Sequence, residues 1–143
     1  MTSVVERRAR IVRVRQMEHR AARAKLATAE AALANLDRIA GRLSGLRASL
    51  KPDAERTTGL ALKSMAEMAL RLEAAQCDLA APMEGAQHNR IRSIAERAAA
   101  KTREEGAEKL REQALRLETY EQSRRADANR PFRKRQPALG GDK

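Results

Sequence analysis

Cys77, His19 and His88 are the side chains of this 143-residue chain best suited to nucleophilic attack or metal ligation, and none stands in the pattern either chemistry needs. An attacking thiol needs a cation or imidazole beside it to hold the thiolate, and the residues around Cys77, LEAAQCDLAA, supply neither. Zinc needs clustered His and Cys ligands; two separated histidines and one cysteine do not make that set. No glycine-rich phosphate loop and no Ser or Cys with a plausible base is present. The expectation is a protein that is not an enzyme, with no cofactor and no resident metal. A lone cysteine also excludes an intramolecular disulfide and fits a reducing compartment.

Charge is the chemistry that remains. Arg7, Arg8, Arg10, Arg13 and Arg15 fall in one short N-terminal stretch, and so dense a group of guanidiniums is either a solvated face or an electrostatic docking surface. The formal charge of +11 is unevenly placed. Residues 1–25 carry 8 Lys or Arg against 2 acids, and residues 101–143 carry 12 against 8. Residues 61–100 balance at 5 against 5. Folding the chain into an antiparallel hairpin would gather both basic ends at the open end and leave the turn end near neutral, giving a rod two different ends to bind with.

The elements that must position these charges are helical. Of the 42% of residues that are hydrophobic, 29 in number are Ala, with one Tyr, one Phe and no Trp, so a thick globular core is excluded and a long-helix class is favoured. Leu26, Ala29, Leu33, Leu36, Ala40 and Leu43 alternate steps of three and four, a heptad seam that needs a partner helix. Val5, Val12 and His19 extend the seam backwards at steps of seven, which makes His19 a partly buried helix residue. Thr2 or Ser3 caps the start.

Gly41 and Gly45 mark either loosening towards the turn or close helix approach. KPDAERTTG then breaks the pattern: Pro52 disfavours helix at Lys51, and Thr57 or Thr58 caps the next helix. A second seam uses Leu60, Leu62, Met65, Met68, Leu72, Ala75 and Leu79. Pro82 either kinks a continuous helix or starts a new one. Beyond it, Ile91, Ala95, Ala98 and Thr102 form a thin seam that Leu110, Ala114 and Leu117 resume, among charges paired at three- and four-residue spacing over Glu104–Glu108 and Lys109–Glu112.

These signals define an all-α fold: a long antiparallel two-helix coiled-coil hairpin over residues 1–129. Its first helix spans about 4–50, its turn 51–58 and its second arm about 59–128, kinked or continuous at Pro82. Residues 130–143 form a basic, breaker-rich tail with the composition of a disordered segment. No segment reaches the roughly 20 apolar residues of a membrane span, and the start has no signal-peptide run.

This pattern of a basic N-terminus, two long helices, a breaker-rich turn and a charged C-terminal helix resembles the FliJ family of flagellar export proteins and the related YscO or SctO stalks of virulence secretion. Family members carry an aromatic, Leu, Ala and His at steps of four, three and four. Here Met68, Leu72, Ala75 and Leu79 stand at those steps with Glu73 beside Leu72, and Met68 and Leu79 depart from the aromatic and the His. The resemblance implies a cytoplasmic stalk, peripheral at the inner-membrane export apparatus. It would link the export ATPase and its regulator to the export-gate membrane protein FlhA and escort export chaperones, with the Met68 to Leu79 strip facing the gate. Two other classes remain: a basic helical hairpin on nucleic acid, and a generic dimeric coiled-coil scaffold. Against nucleic acid, acids interleave with the C-terminal basic residues, and Tyr120 and Phe132 are the sole aromatics for stacking on bases.

Overall fold

A computed structural model describes residues 3–51 and 58–130, and 95% of them are α-helical. Helix α1 runs Val4–Ser49 and helix α2 runs Gly59–Ala128. Each starts where the sequence offers a hydroxyl to the free N–H groups of a first turn. Ser3 accepts from the Glu6 backbone N–H at 3.2 Å while the Glu6 carboxylate accepts from the Ser3 N–H at 3.2 Å, a reciprocal capping box. Thr58 accepts from Ala61 N–H at 3.3 Å. The central part of the expected turn, with Pro52 and Thr57, and the basic tail from Pro131 onward lie outside the described residues.

The helices pair antiparallel, as three cross-contacts define: His19 to Glu104, Lys25 to Glu96 at 3.8 Å, and Arg47 to Glu73 at 3.5 Å. This register sets Ala22 about level with Ala100 and Leu43 about level with Leu79. At 70 residues against 46, α2 outruns its partner at both ends. Its first dozen or so residues pass the end of α1 on the turn side, and residues 119–128 pass Val4 on the open side, the latter all exposed. At 1.5 Å per residue α2 is about 105 Å long.

Pro82 lies inside α2, which continues through it. The inner column Leu72, Leu79, Ala86, Ser93, Ala100, Ala107 and Ala114 keeps steps of seven across the proline on the α1 side, with Met65 continuing it past the end of α1, so packing on α1 holds both halves in one register despite the missing N–H. The first-arm seam is where its spacing predicts: Val12, Ala22 and Leu26 are buried, and Val5, His19, Ala29, Leu33, Leu36, Ala40 and Leu43 are half-buried.

The seam expected beyond Pro82 is corrected. Ile91, Ala95, Ala98, Thr102, Leu110 and Leu117 are exposed, and of the expected residues Ala114 alone is buried, joined by Ala100 and Ala107. In the first half of the second arm, Leu60, Leu62 and Met68 are likewise exposed while Met65, Leu72, Ala75 and Leu79 are half-buried. The cause is register. Once Met65, Leu72 and Leu79 fix the heptad column, its continuation falls on alanines, whose Cβ-only side chains let the axes approach while α1 supplies the volume from Val12 and Leu26. The larger residues fall on the flanks.

The accessible surface, 12389 Å² for 15.9 kDa, exceeds the about 7,400 Å² typical of a compact monomer of that mass, so most side chains face solvent. No described helix is long and apolar enough to cross a membrane.

A Cβ placed on Gly41, Gly45 or Gly106 would meet nothing within 4 Å, so close approach does not explain these glycines. Gly45→Ala and Gly106→Ala should therefore each stabilise the helices by about 1 kcal/mol, since Ala restricts the unfolded chain and meets no obstacle. Thermal melts followed by circular dichroism should show a rise of a few degrees in Tm for each variant. A fall would mean a neighbour occupies that space.

Candidate functional site

The five N-terminal arginines share a stretch of α1 but not a face. Arg8 and Arg15, seven residues apart, lie half-buried beside the seam, and Arg15 donates to the Glu18 carboxylate at 2.7 Å. Arg7, Arg10 and Arg13 are exposed, with Arg10 and Arg13 on the back of the helix away from α2. The stretch thus offers an outward cationic surface and, separately, two guanidiniums at the edge of the helix pair.

The Met68 to Leu79 strip is likewise two columns. Leu72 and Leu79 belong to the inner column that packs on α1, and both are half-buried. Met68 and Ala75 form the column beside it, with Met68 50% exposed and Ala75 half-buried. Glu73, next to Leu72, accepts from Arg47 across the pair at 3.5 Å, and the Arg47 guanidinium also donates to Gln76 at 3.3 Å. A partner approaching this strip would therefore meet the Met68 edge before it met Leu72. Cys77 is exposed.

One polar contact inside the seam has no counterpart in the heptad pattern. His19 Nδ1 lies 2.5 Å from a Glu104 carboxylate oxygen, both side chains less than a fifth exposed, and His19 Nε2 is buried with no partner. Spacing alone puts Glu104 in a solvent-facing charge ladder. The ladder exists, through Lys101 with Glu105 at 3.7 Å and Arg116 with Glu112 at 2.5 Å, but Glu104 turns inward. The available signal was column membership: Glu104 follows Ala69, Gln76, Met83 and Arg90 at heptad spacing, with one step skipped at Arg97. Slipping the helices by one position would strand both groups among apolar neighbours, so the pair specifies register.

Concave surface runs as shallow troughs along one side of the helix pair, rather than as an enclosed cavity. At the open end the trough is lined by Val4, Ile11, Leu110 and Leu117; further along it is lined by Ala21, Lys25, Pro82 and Gly85. Among the described residues no group of three or more His, Cys, Asp or Glu could hold a metal ion. What this geometry offers chemically is a long ladder of charged and aliphatic side chains open to solvent. The class defined by fold and surface is an antiparallel two-helix coiled-coil hairpin. No family model, no curated protein and no solved structure matches the chain.

Two outcomes test these assignments in denaturant titrations followed by circular dichroism. Glu104→Ala should destabilise by about 1 to 3 kcal/mol by leaving His19 unpaired in the seam, whereas the double variant His19→Leu, Glu104→Leu should recover most or all of that loss. Equal loss in single and double variants would remove the register role. Leu72→Ala should cost about 1 to 2 kcal/mol, below the value for a fully buried leucine, and Met68→Ala should cost well under about 1 kcal/mol.

Proposed function

We propose that this chain is a coiled-coil stalk of a flagellar or virulence type III export apparatus, a rod that links the export ATPase and its regulator to the membrane gate protein FlhA. In this reading it is cytoplasmic, peripheral at the inner membrane, and also escorts export chaperones. The observation that carries the proposal is the continuous 70-residue α2, braced along its middle by α1 and projecting past it at both ends. Such a rod spans about 105 Å, long enough to touch a ring and a membrane partner at once. Its ends differ, with exposed Arg7, Arg10 and Arg13 towards one and the Met68 edge towards the other, so the two partners need not compete. The resemblance of the residue pattern to the FliJ and YscO stalks, from which Met68 and Leu79 depart, is what supports this choice of machine.

Capture of the tagged chain from native cells should recover the export ATPase and the gate protein. Recovery of nucleic acid or ribosomes instead would favour the nucleic-acid reading. Replacing Arg7, Arg10 and Arg13 by Glu should slow ATPase association and flatten its salt dependence without lowering helicity, because all three side chains are exposed. Unchanged association at low salt would reduce these arginines to a solvated face.

A further inference from the structure

The open end of the hairpin carries an apolar trough that neither helix fills. Val4 and Ile11 of α1 line one wall, and Leu110 and Leu117 of α2 line the other; they are 53%, 51%, 49% and 64% exposed. Between the walls lie the buried Ala107 and Ala114, and Gly106, exposed, leaves a gap in the α2 wall one turn before Leu110. Each wall pair is seven residues apart, which repeats every two turns and spans about 10.5 Å. Four large aliphatic side chains over a floor of small residues have the form of a groove that receives a helix.

Charge around the groove selects the occupant. Arg8, Arg15 and Arg103 surround Ile11 and Leu110, and no carboxylate lines that part of the groove. Among the described residues Arg8 and Arg103 form no ion pair, while Arg15 is met by Glu18 alone. Glu118 and Glu121 lie at the far end, beyond Val4 and Leu117. A second copy docked groove to groove, the helices of one antiparallel to those of the other, would set Arg15 and Arg103 near Glu118 and Glu121 but would bring Arg8 against its own copy near the middle, whereas an acidic helix meets all three arginines. The chain's own segment 131–143 carries four Lys or Arg against one Asp and is repelled by the same rim.

We propose that the Val4, Ile11, Leu110 and Leu117 groove is a docking site for an amphipathic helix of another protein, with an apolar seam seated over Ala107 and Ala114 and acidic flanks on Arg8, Arg15 and Arg103. The proposal rests on the reading of the chain as a protein-linking rod but not on the identity of the machine. Loss of export partners in a capture experiment would leave the groove untouched, and failure of peptide binding would leave the export reading untouched.

The probe is a fluorescein-labelled peptide of about three heptads with Leu at seam positions and Glu at flanking ones, titrated with the full chain by fluorescence anisotropy. Saturable binding that weakens several-fold as salt rises is expected. Ile11→Glu should lose at least tenfold in affinity. Gly106→Gln should lose as much while keeping or raising Tm, because a side chain there meets nothing of its own fold yet stands in the mouth of the groove beside Leu110. Equal binding of a Lys-flanked peptide, equal binding of a scrambled peptide of the same composition, or undiminished binding to Gly106→Gln would each overturn the proposal. Self-association of the wild-type chain that competes with the peptide would overturn it in favour of a second copy. Tighter binding to the full chain bearing Phe132→Glu and Leu139→Glu would overturn it in favour of the tail.

Discussion

Everything in this molecule depends on one narrow seam where two helices bury small side chains against each other. The buried set is Val12, Ala22 and Leu26 from α1 with Ala100, Ala107 and Ala114 from α2, and among the described residues no large side chain is sealed below 2% exposure. Four of these six residues are alanine, each contributing little area. Apolar burial scales with area, so no single layer dominates, and stability must come from repeating a weak layer over the whole paired length. Close approach of the axes is what small seam residues gain in return. That constraint explains why Pro82 is tolerated within α2 and why a polar His19–Glu104 pair is retained: an alanine seam alone distinguishes one register poorly from the next.

A seam of this kind leaves surplus apolar surface. Because the inner column of α2 is occupied by alanine in its second half, Ile91, Ile94, Leu110, Leu115 and Leu117 are turned to the outside. Scattered exposed aliphatics are ordinary on a protein surface, but those facing the α1 flank residues Val4 and Ile11 form a wall pair over a small-residue floor. The exposed apolar surface of this rod thus follows from the choice of residues that holds it together. The charge ladder on the outer face does the complementary work of keeping the long exposed helix intact, through pairs such as Arg116 with Glu112 at 2.5 Å.

Much of the fold was legible in the sequence because heptad spacing is a local signal. The Leu26 to Leu43 seam and the approximate helix boundaries follow from residue type and step, as do the caps to within one residue, where the structure takes Ser3 over Thr2 and uses Thr58. The second half of α2 was not legible for a physical reason. Choosing the largest apolar residues as the seam assumes that size marks the inside, whereas in an Ala-rich pair the register set by Met65, Leu72 and Leu79 decides, and the large residues fall outside. Glu104 was missed because its partner lies 85 positions away, and a charged residue in a charged stretch signals an inward face only through its heptad column. The candidate strip Met68, Leu72, Ala75 and Leu79 was legible as a helical stripe but not as two columns, one against α1 and one more open. That division depends on where the partner helix sits.

Antiparallel pairing within one chain, in the register that sets Ala22 beside Ala100, underlies the seam, the groove and the projecting ends alike. Oxidative cross-linking tests it directly, with Cys77→Ser as background, comparing the pair Ala22→Cys, Ala100→Cys with the off-register pair Ala22→Cys, Ala107→Cys. The first pair should bridge rapidly within a monomer and raise the melting temperature, since facing seam alanines fall in the range a disulfide spans, and the second should bridge poorly. Bridges that form only between chains, or equally in both pairs, would contradict the hairpin and its register.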